Sequence, residues 1–529
     1  MTTTRGARVR WGAAPLAAML LVVGLPAGAG AGGGGGGGGG GQCTPGAAGV
    51  GDPYYPTYGN GGYDVRSYDL DVAYDPATDR LDGDATISAR ATQHLCSFHL
   101  DLVGLEVTDV EVDRRDATWT REGQELIVTP RRPLREGHRF TVEVTYGGVP
   151  VTFEIPGFGI PAGFMATTDG AIVAGQPEAA TAWFPVNDHP IDKASYSFDV
   201  SVPDGYEVVA NGVLRGQRSR HGWTTWRWVA RDPMASYLAT IDIGQWDVTT
   251  WRTDSGLPVY DAVDSAITGG LRAEIDSSLA RQGEILDRLS GWFGEYPWNT
   301  TGAIVDDHDD LFFALETQTR PVYSKYFWLD GQGNPTNGDA VVVHELAHQW
   351  FGDDLAVARW QDIWLNEGFA TYAEWLWAEA EGQATVDEIF QATYDDPPAD
   401  DVDAFWAVTI GDPGVDLLFD NAVYFRGAMT LHALRQAVGD DTFWAIVQGF
   451  VAENRGGNVT TEQFIAYAEQ VSGQQLDDLF TTWLFTPSRP ELTAASSAAA
   501  AAAAAAPATA PGAAAVVSAA AARADRGRR

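Results

Sequence analysis

His344-Glu345-Leu346-Ala347-His348, followed after eighteen residues by Glu367 within Trp364-Leu365-Asn366-Glu367-Gly368-Phe369-Ala370, sets two imidazoles and two carboxylates at fixed spacing. On an α-helix, residues i and i+4 share one face, one turn apart. His344 and His348 therefore aim at a single point, while Glu345 sits about 100° around the helix from His344. The pattern suits a divalent ion. Catalytic zinc takes three protein ligands and keeps one position open. Glu367, on a second helix after a short connection, is the expected third ligand, and Glu345 is placed to activate a water at the metal. Val341, Val342 and Val343 lead into the segment and Leu346, Ala347, Trp350 and Phe351 follow, so a buried helix is predicted. Histidines and a glutamate buried there are costly unless a metal or partners satisfy them. Three fixed residues match by chance somewhere in a chain this long with odds of roughly 1 in 100; the Asn366-Glu367 pair at its offset lowers that further.

Upstream of this segment the periodicity is two. Tyr68, Leu70, Val72 and Tyr74 alternate with polar residues, as do Phe140, Val142, Val144 and Tyr146, and Tyr196, Phe198, Val200 and Val202. These predict half-buried antiparallel strands, punctuated by turn signals at Asp82-Gly83 and Asp204-Gly205. A β-sandwich or saddle is expected over residues 52–245. From about residue 268 the spacing becomes helical at Leu271, Ile275, Leu279, Leu286 and Leu289, with a slip near Gly283. Helices are predicted for the motif segment, for the Glu367 segment, over 427–438 and 442–454, and from Thr460, where Gln463 completes a capping box. A short strand is predicted over 303–305 and another before Glu316. The fold class is α+β and multidomain, a β domain followed by a mainly helical domain over 246–490.

The chain has 529 residues and a formal net charge of −37, with 71 acidic residues against 34 basic ones. Lys193 and Lys325 are its only lysines. Nucleic-acid binding is excluded, since phosphate contacts need a basic face. Arg5, Arg8 and Arg10 precede a short apolar stretch from Ala13 to Leu25, and Ala27-Gly28-Ala29 and Ala29-Gly30-Ala31 offer cleavage sites. Residues 1–31 are expected to be an export signal, giving a secreted or cell-envelope protein with no stable membrane span once the signal is cleaved; a retained anchor is the competing reading. Residues 32–51 form a glycine-rich linker and 491–529 an alanine-rich tail broken by Pro507 and Pro511. Cys43 and Cys96 are the only cysteines. In an exported chain an even pair suggests one disulfide, with two separate thiols as the alternative.

The HExxH-x18-E spacing with its W-L-N-E-G-F-A tail resembles the M1 family of zinc aminopeptidases, the gluzincin group that includes aminopeptidase N and leukotriene A4 hydrolase. The resemblance covers roughly residues 52 to 490 and implies a thermolysin-like catalytic domain with one zinc per chain. Phe313-Ala314-Leu315-Glu316-Thr317, with Glu316 lying 28 residues before His344, resembles the family's G-x-M-E-N motif. Glu316 would then pair with the substrate's free α-amino group and set the register. The family's Gly, Met and Asn are Phe313, Leu315 and Thr317 here. Gln176-Pro177-Glu178 and Ala182-Trp183-Phe184-Pro185 resemble the N-terminal-domain signature, which implies that Gln176 helps bind the amine. Val423-Tyr424-Phe425-Arg426-Gly427 resembles Y-x-K-G, which implies that Tyr424 donates to the oxyanion, with Arg426 in place of lysine. Trp292-Phe293-Gly294-Glu295-Tyr296-Pro297-Trp298 is also family-like and reads as packing.

These implications converge on an aminopeptidase acting on unblocked peptides, expected as a monomer. Larger family members continue into a helical domain that caps the cleft; the globular pattern here stops near Pro490, so a more open site is expected. A hydrolase of a non-peptide substrate such as a lipid epoxide would use the same core, and a long apolar tunnel would favour it. A non-catalytic binding protein would ordinarily carry a broken motif, whereas His344, Glu345, His348, Glu367 and Tyr424 are all present.

Overall fold

The alternating segments pair into a seven-stranded sheet. Its spatial order is Val213–Arg220, Trp223–Met234, Ala194–Pro203, Tyr63–Asp75, Arg80–Ala91, Arg139–Gly148, Glu106–Val112. Tyr68, Leu70, Val72 and Tyr74 all face the core, at most 2% exposed, because a period of two puts alternate residues on one face. The central pair, Ala194–Pro203 beside Tyr63–Asp75, is parallel, with Tyr196 against Tyr68. Expectation had every strand antiparallel. Two strands joined by more than a hundred intervening residues are free of the hairpin constraint that enforces antiparallel pairing. These positions come from a computed structural model that describes residues 42–155, 157 and 159–492. The expected export signal, residues 32–41 of the linker and the alanine-rich tail from 493 lie outside the described residues.

Asp82-Gly83 is not a turn. Gly83 lies inside the strand Arg80–Ala91, opposite Tyr146, and the chain reverses at residues 76–79 instead. A Cβ at Gly83 would stand 2.6 Å from the Tyr146 ring, so the glycine makes room for an aromatic neighbour across the ladder. Two further sheets complete the β region. One has five strands running from Glu207–Ala210 to Thr152–Glu154, and one has four, among them Thr44–Pro45 beside Leu95–Asp101. Cys43 and Cys96 form a disulfide, so the expected linker is tied down from Cys43 onward.

The sheet of the helical region runs Trp246–Arg252, Pro258–Asp264, Thr301–Asp306, Val322–Ser324, Ala314–Leu315. Its last strand is an edge and leads directly into Glu316. The leucine spacing after residue 268 resolves into two helices, Gly269–Leu279 and Gln282–Phe293; the slip in period is the break between them. Thr460 and Gln463 form the capping box expected of them. The helix expected to begin at Gly427 begins at Asn421, because Asp420 caps it through Oδ1 to the Ala422 N–H. Among the described residues no helix is long and apolar enough to cross a membrane.

The helices Trp364–Ala380 and Asn421–Val438 cross at Gly368 and Gly427. A Cβ on Gly427 would lie 2.8 Å from the Gly368 Cα, closer than any side chain allows. Gly427→Ala is expected to force the helices apart at a cost of about 1–3 kcal/mol. Thermal unfolding would read that loss; a variant as stable as the wild type would refute the contact. Arg426 turns away from this crossing. Its guanidinium donates to the carbonyls of Trp406, Val408, Thr482, Trp483 and Thr486, clamping the Thr481–Phe485 turn. Five acceptors account for an arginine at this position, since a lysine brings three donors.

Several aspartates are buried in the β region and the adjoining sheet. Burial lifts the carboxyl of Asp188 to about 8 and those of Asp192 and Asp306 to about 7. A folded-state value above the unfolded one means that the native chain holds more protons between about pH 4 and pH 8. Stability then falls as pH rises through that window. With a chelator present to remove any metal contribution, the melting temperature is expected to be lower at pH 8 than at pH 5.5. A rise would contradict this assignment.

Candidate active site

The motif helix runs Asp339–Ala347 and has His348 as its C-cap, one turn shorter than the apolar run through Phe351 suggests. Gly352, at φ +137°, reverses the chain there, a conformation that side chains disfavour. The reversal brings the Phe351 carbonyl within 2.9 Å of His348 Nδ1. Glu367 stands in the first turn of Trp364–Ala380. His344 Nε2 and His348 Nε2 each lie 3.3 Å from Glu367 Oε2. Tetrahedral zinc with bonds of about 2.0–2.1 Å spaces its ligand atoms about 3.3–3.4 Å apart.

The outer nitrogens are also engaged. His344 Nδ1 donates to Glu374 Oε1 at 2.8 Å, and His348 Nδ1 donates to the Phe351 carbonyl. Both imidazoles are thereby held with Nε2 facing Glu367, the orientation a metal requires once it displaces any proton from Nε2. The donor set, its spacing and its burial fit zinc. Glu374 escaped the sequence reading, although it lies seven residues after Glu367 and hence on the same helix face.

Electrostatics favour a cation. Burial would raise the Glu367 carboxyl, but His348 and His344 hold it below the ordinary carboxylate value. Burial would lower His348, but Glu367 and then Glu316 lift it to about 9. Glu345 is 5% exposed, and burial carries its carboxyl up to about 8 against the pull of His344 and His348. A dication among these groups would favour the ionised form of Glu345 and displace protons from the histidines.

Glu316 sits across the cleft. Its Oε1 accepts from Tyr237 Oη at 2.8 Å and from Gln176 Nε2 at 3.3 Å. Gln349, the residue after His348, donates through Nε2 to the Glu316 backbone carbonyl at 2.9 Å and so ties the motif helix to the edge strand. Tyr237 comes from the β region and carried no local signal in the sequence. Tyr424 stacks near His344, with ring centroids 6.0 Å apart. Burial, then the carboxylates of Glu367, Glu316 and Glu345, raise its phenol well above the ordinary value, so it remains a hydrogen-bond donor. Gln176, Glu316, His344, Glu345, His348, Glu367 and Tyr424 line one cavity of about 190 Å³.

The comparisons agree with this arrangement. Residues 284–483 match the peptidase family M1 domain and residues 65–238 the peptidase M1 N-terminal domain. The chain is 25% identical over 413 residues to a probable aminopeptidase 1 of Saccharolobus solfataricus, covering 74% of this chain and 50% of the relative. It is 26% identical over 457 residues to glutamyl aminopeptidase of Sus scrofa, covering 79% and 46%. The chain thus spans about half the length of the curated relatives it matches. A crystal structure of an M1 zinc metallopeptidase from Deinococcus radiodurans superposes with a TM-score of 0.75 at 29% identity, over 84% of this chain and 98% of that one. A variant of the Deinococcus enzyme has been solved with a Tyr-Ser-Ala substrate. With both domains of the family matched in order and a zinc-fitting ligand set within the second, this chain belongs to peptidase family M1.

Proposed function

We propose that the chain is a zinc aminopeptidase that hydrolyses the first peptide bond of unblocked peptides. The observation that carries this reading is the position of Glu316. A buried carboxylate, fixed by Tyr237 and Gln176, shares a cavity with His344, His348 and Glu367. A free α-ammonium paired with Glu316 brings only the adjacent carbonyl to the ligand triad. Zinc held by that triad supplies Lewis acidity, polarising the carbonyl and making a water more acidic. Glu345 takes the proton of the attacking water and returns it to the leaving amine. Tyr424 donates its phenol to the carbonyl oxygen as charge develops there.

The test compares a peptide with its N-acetylated form, on wild type and on Glu316→Gln. Wild type should cleave only the free peptide, and Glu316→Gln should lose most of that preference. Efficient cleavage of the blocked peptide by wild type would sink the reading.

Glu374 holds His344 in the ligating tautomer. Glu374→Gln is expected to weaken zinc binding about 10–100-fold, read by competition with a chromogenic chelator. An unchanged affinity would remove Glu374 from the centre. Export is proposed from the basic and apolar N-terminal pattern, supported by the Cys43–Cys96 disulfide, since such bonds persist in oxidising compartments. Sequencing the N-terminus of protein recovered from culture supernatant tests it. A monomer is proposed as the working form, to be checked by light scattering.

A further inference from the structure

We propose that the cleft selects peptides with a large apolar N-terminal residue and rejects acidic ones, although several relatives are glutamyl aminopeptidases. The inference rests on the aminopeptidase reading. Glu316 marks where the α-amine sits and the His–Glu triad marks where the carbonyl sits. The first residue's side chain must then lie against what remains of the cavity wall. That wall includes Ile155 and Ile160 from the β region, and Phe313, Phe419 and Phe425 from the helical region. Thr371 and Asn421 add neutral polar groups.

An acidic side chain placed there needs a cation, because a buried carboxylate without one is strongly disfavoured. Among the described residues, no lysine or arginine lines the cavity. The basic residues nearest in sequence are committed elsewhere. Arg320, four residues after Glu316, donates to the carbonyls of Ala210, Gly212 and Tyr260. Arg426, two residues after Tyr424, is bound by five carbonyls. Lys193 donates to the carbonyls of Asp353, Asp354 and Gly457, and Lys325 to Asp307 and Asp309. What does face the cavity is negative: Glu316, Glu345, Glu367 and Glu374. One zinc and the substrate's own ammonium offset three of these charges, and the fourth remains. A second carboxylate on the substrate would enter a repulsive field in a low-dielectric cleft. An aromatic or branched aliphatic side chain instead exchanges water for the phenylalanine and isoleucine surfaces. Phe419, in the turn just before the Tyr424 helix, is the residue we assign to set this preference.

The test uses the zinc-loaded full chain and p-nitroanilides of Phe, Leu, Ala and Glu. The expected kcat/KM for Phe and Leu is at least 100-fold above Glu and at least 10-fold above Ala. Glu within 10-fold of Leu, or Ala equal to Leu, would overturn the proposal. Binding is read separately by calorimetry on zinc-loaded Glu345→Gln with L-phenylalaninamide and the α-amide of L-glutamic acid. Tighter binding of the phenylalanine amide supports the selectivity even if wild type cleaves none of the anilides, an outcome that would sink the aminopeptidase reading alone; the reverse order overturns the selectivity. Phe419→Arg, folded and zinc-loaded, should narrow the Leu-to-Glu ratio at least 10-fold, and an unchanged ratio counts against the assignment of Phe419.

Discussion

Glu345→Gln is expected to lower kcat by about 10²–10⁴-fold, with zinc content unchanged at one per chain. Glutamine keeps the size and hydrogen-bonding shape of glutamate but cannot accept a proton from water at neutral pH. Glu345 belongs to neither imidazole–carboxylate contact that defines the ligand set, so the metal site should survive. Replacing a buried carboxylate by a neutral amide also removes a desolvation cost, and the melting temperature should hold or rise. Activity above a tenth of wild type, with zinc bound, would mean that some other group moves the proton.

The second large effect is expected from His348→Ala. One of three ligands disappears, and Glu367 loses the contact that, with His344, keeps its carboxyl ionised. Zinc content should drop well below one per chain, and hydrolysis should fall to background. Stability should fall as well. A ligand at 100 times its dissociation constant contributes about 2.7 kcal/mol to the native state, and both the variant and chelated wild type forfeit it. Mutation should therefore lower the melting temperature at least as much as chelation does, since it also removes the His348 contacts with Glu367 and the Phe351 carbonyl, and the chelator should have no further effect on the variant. Full zinc occupancy in His348→Ala would place the metal elsewhere.

Much of the architecture was legible because burial leaves a period. Tyr68 to Tyr74 alternate because one face of their sheet is dry, and Leu271 to Leu289 fall on one side of two successive helices. Local signals failed where a distant neighbour decided the conformation. Asp82-Gly83 has the composition of a turn, yet Gly83 sits mid-strand because the Tyr146 ring needs its space. The parallel pairing of Ala194–Pro203 with Tyr63–Asp75 left no mark in either strand. The start of the Tyr424 helix at Asn421, six residues before the expected boundary at Gly427, was readable from Asp420, a good N-cap.

At the site the division follows sequence distance. Two histidines four residues apart on a helix share a face by geometry, and Glu374 shares one with Glu367 by the same rule. The sequence alone therefore determined the ligand types, their helical placement and the alternating strands, because each depends on backbone periodicity within one element. Tertiary structure alone decided that Tyr237 and Gln176 from the β region grip Glu316, that Gly368 meets Gly427, and that Arg320 and Arg426 turn away from the cavity. Those contacts join residues 18 to 140 positions apart, and only the packing of whole elements sets which such side chains meet.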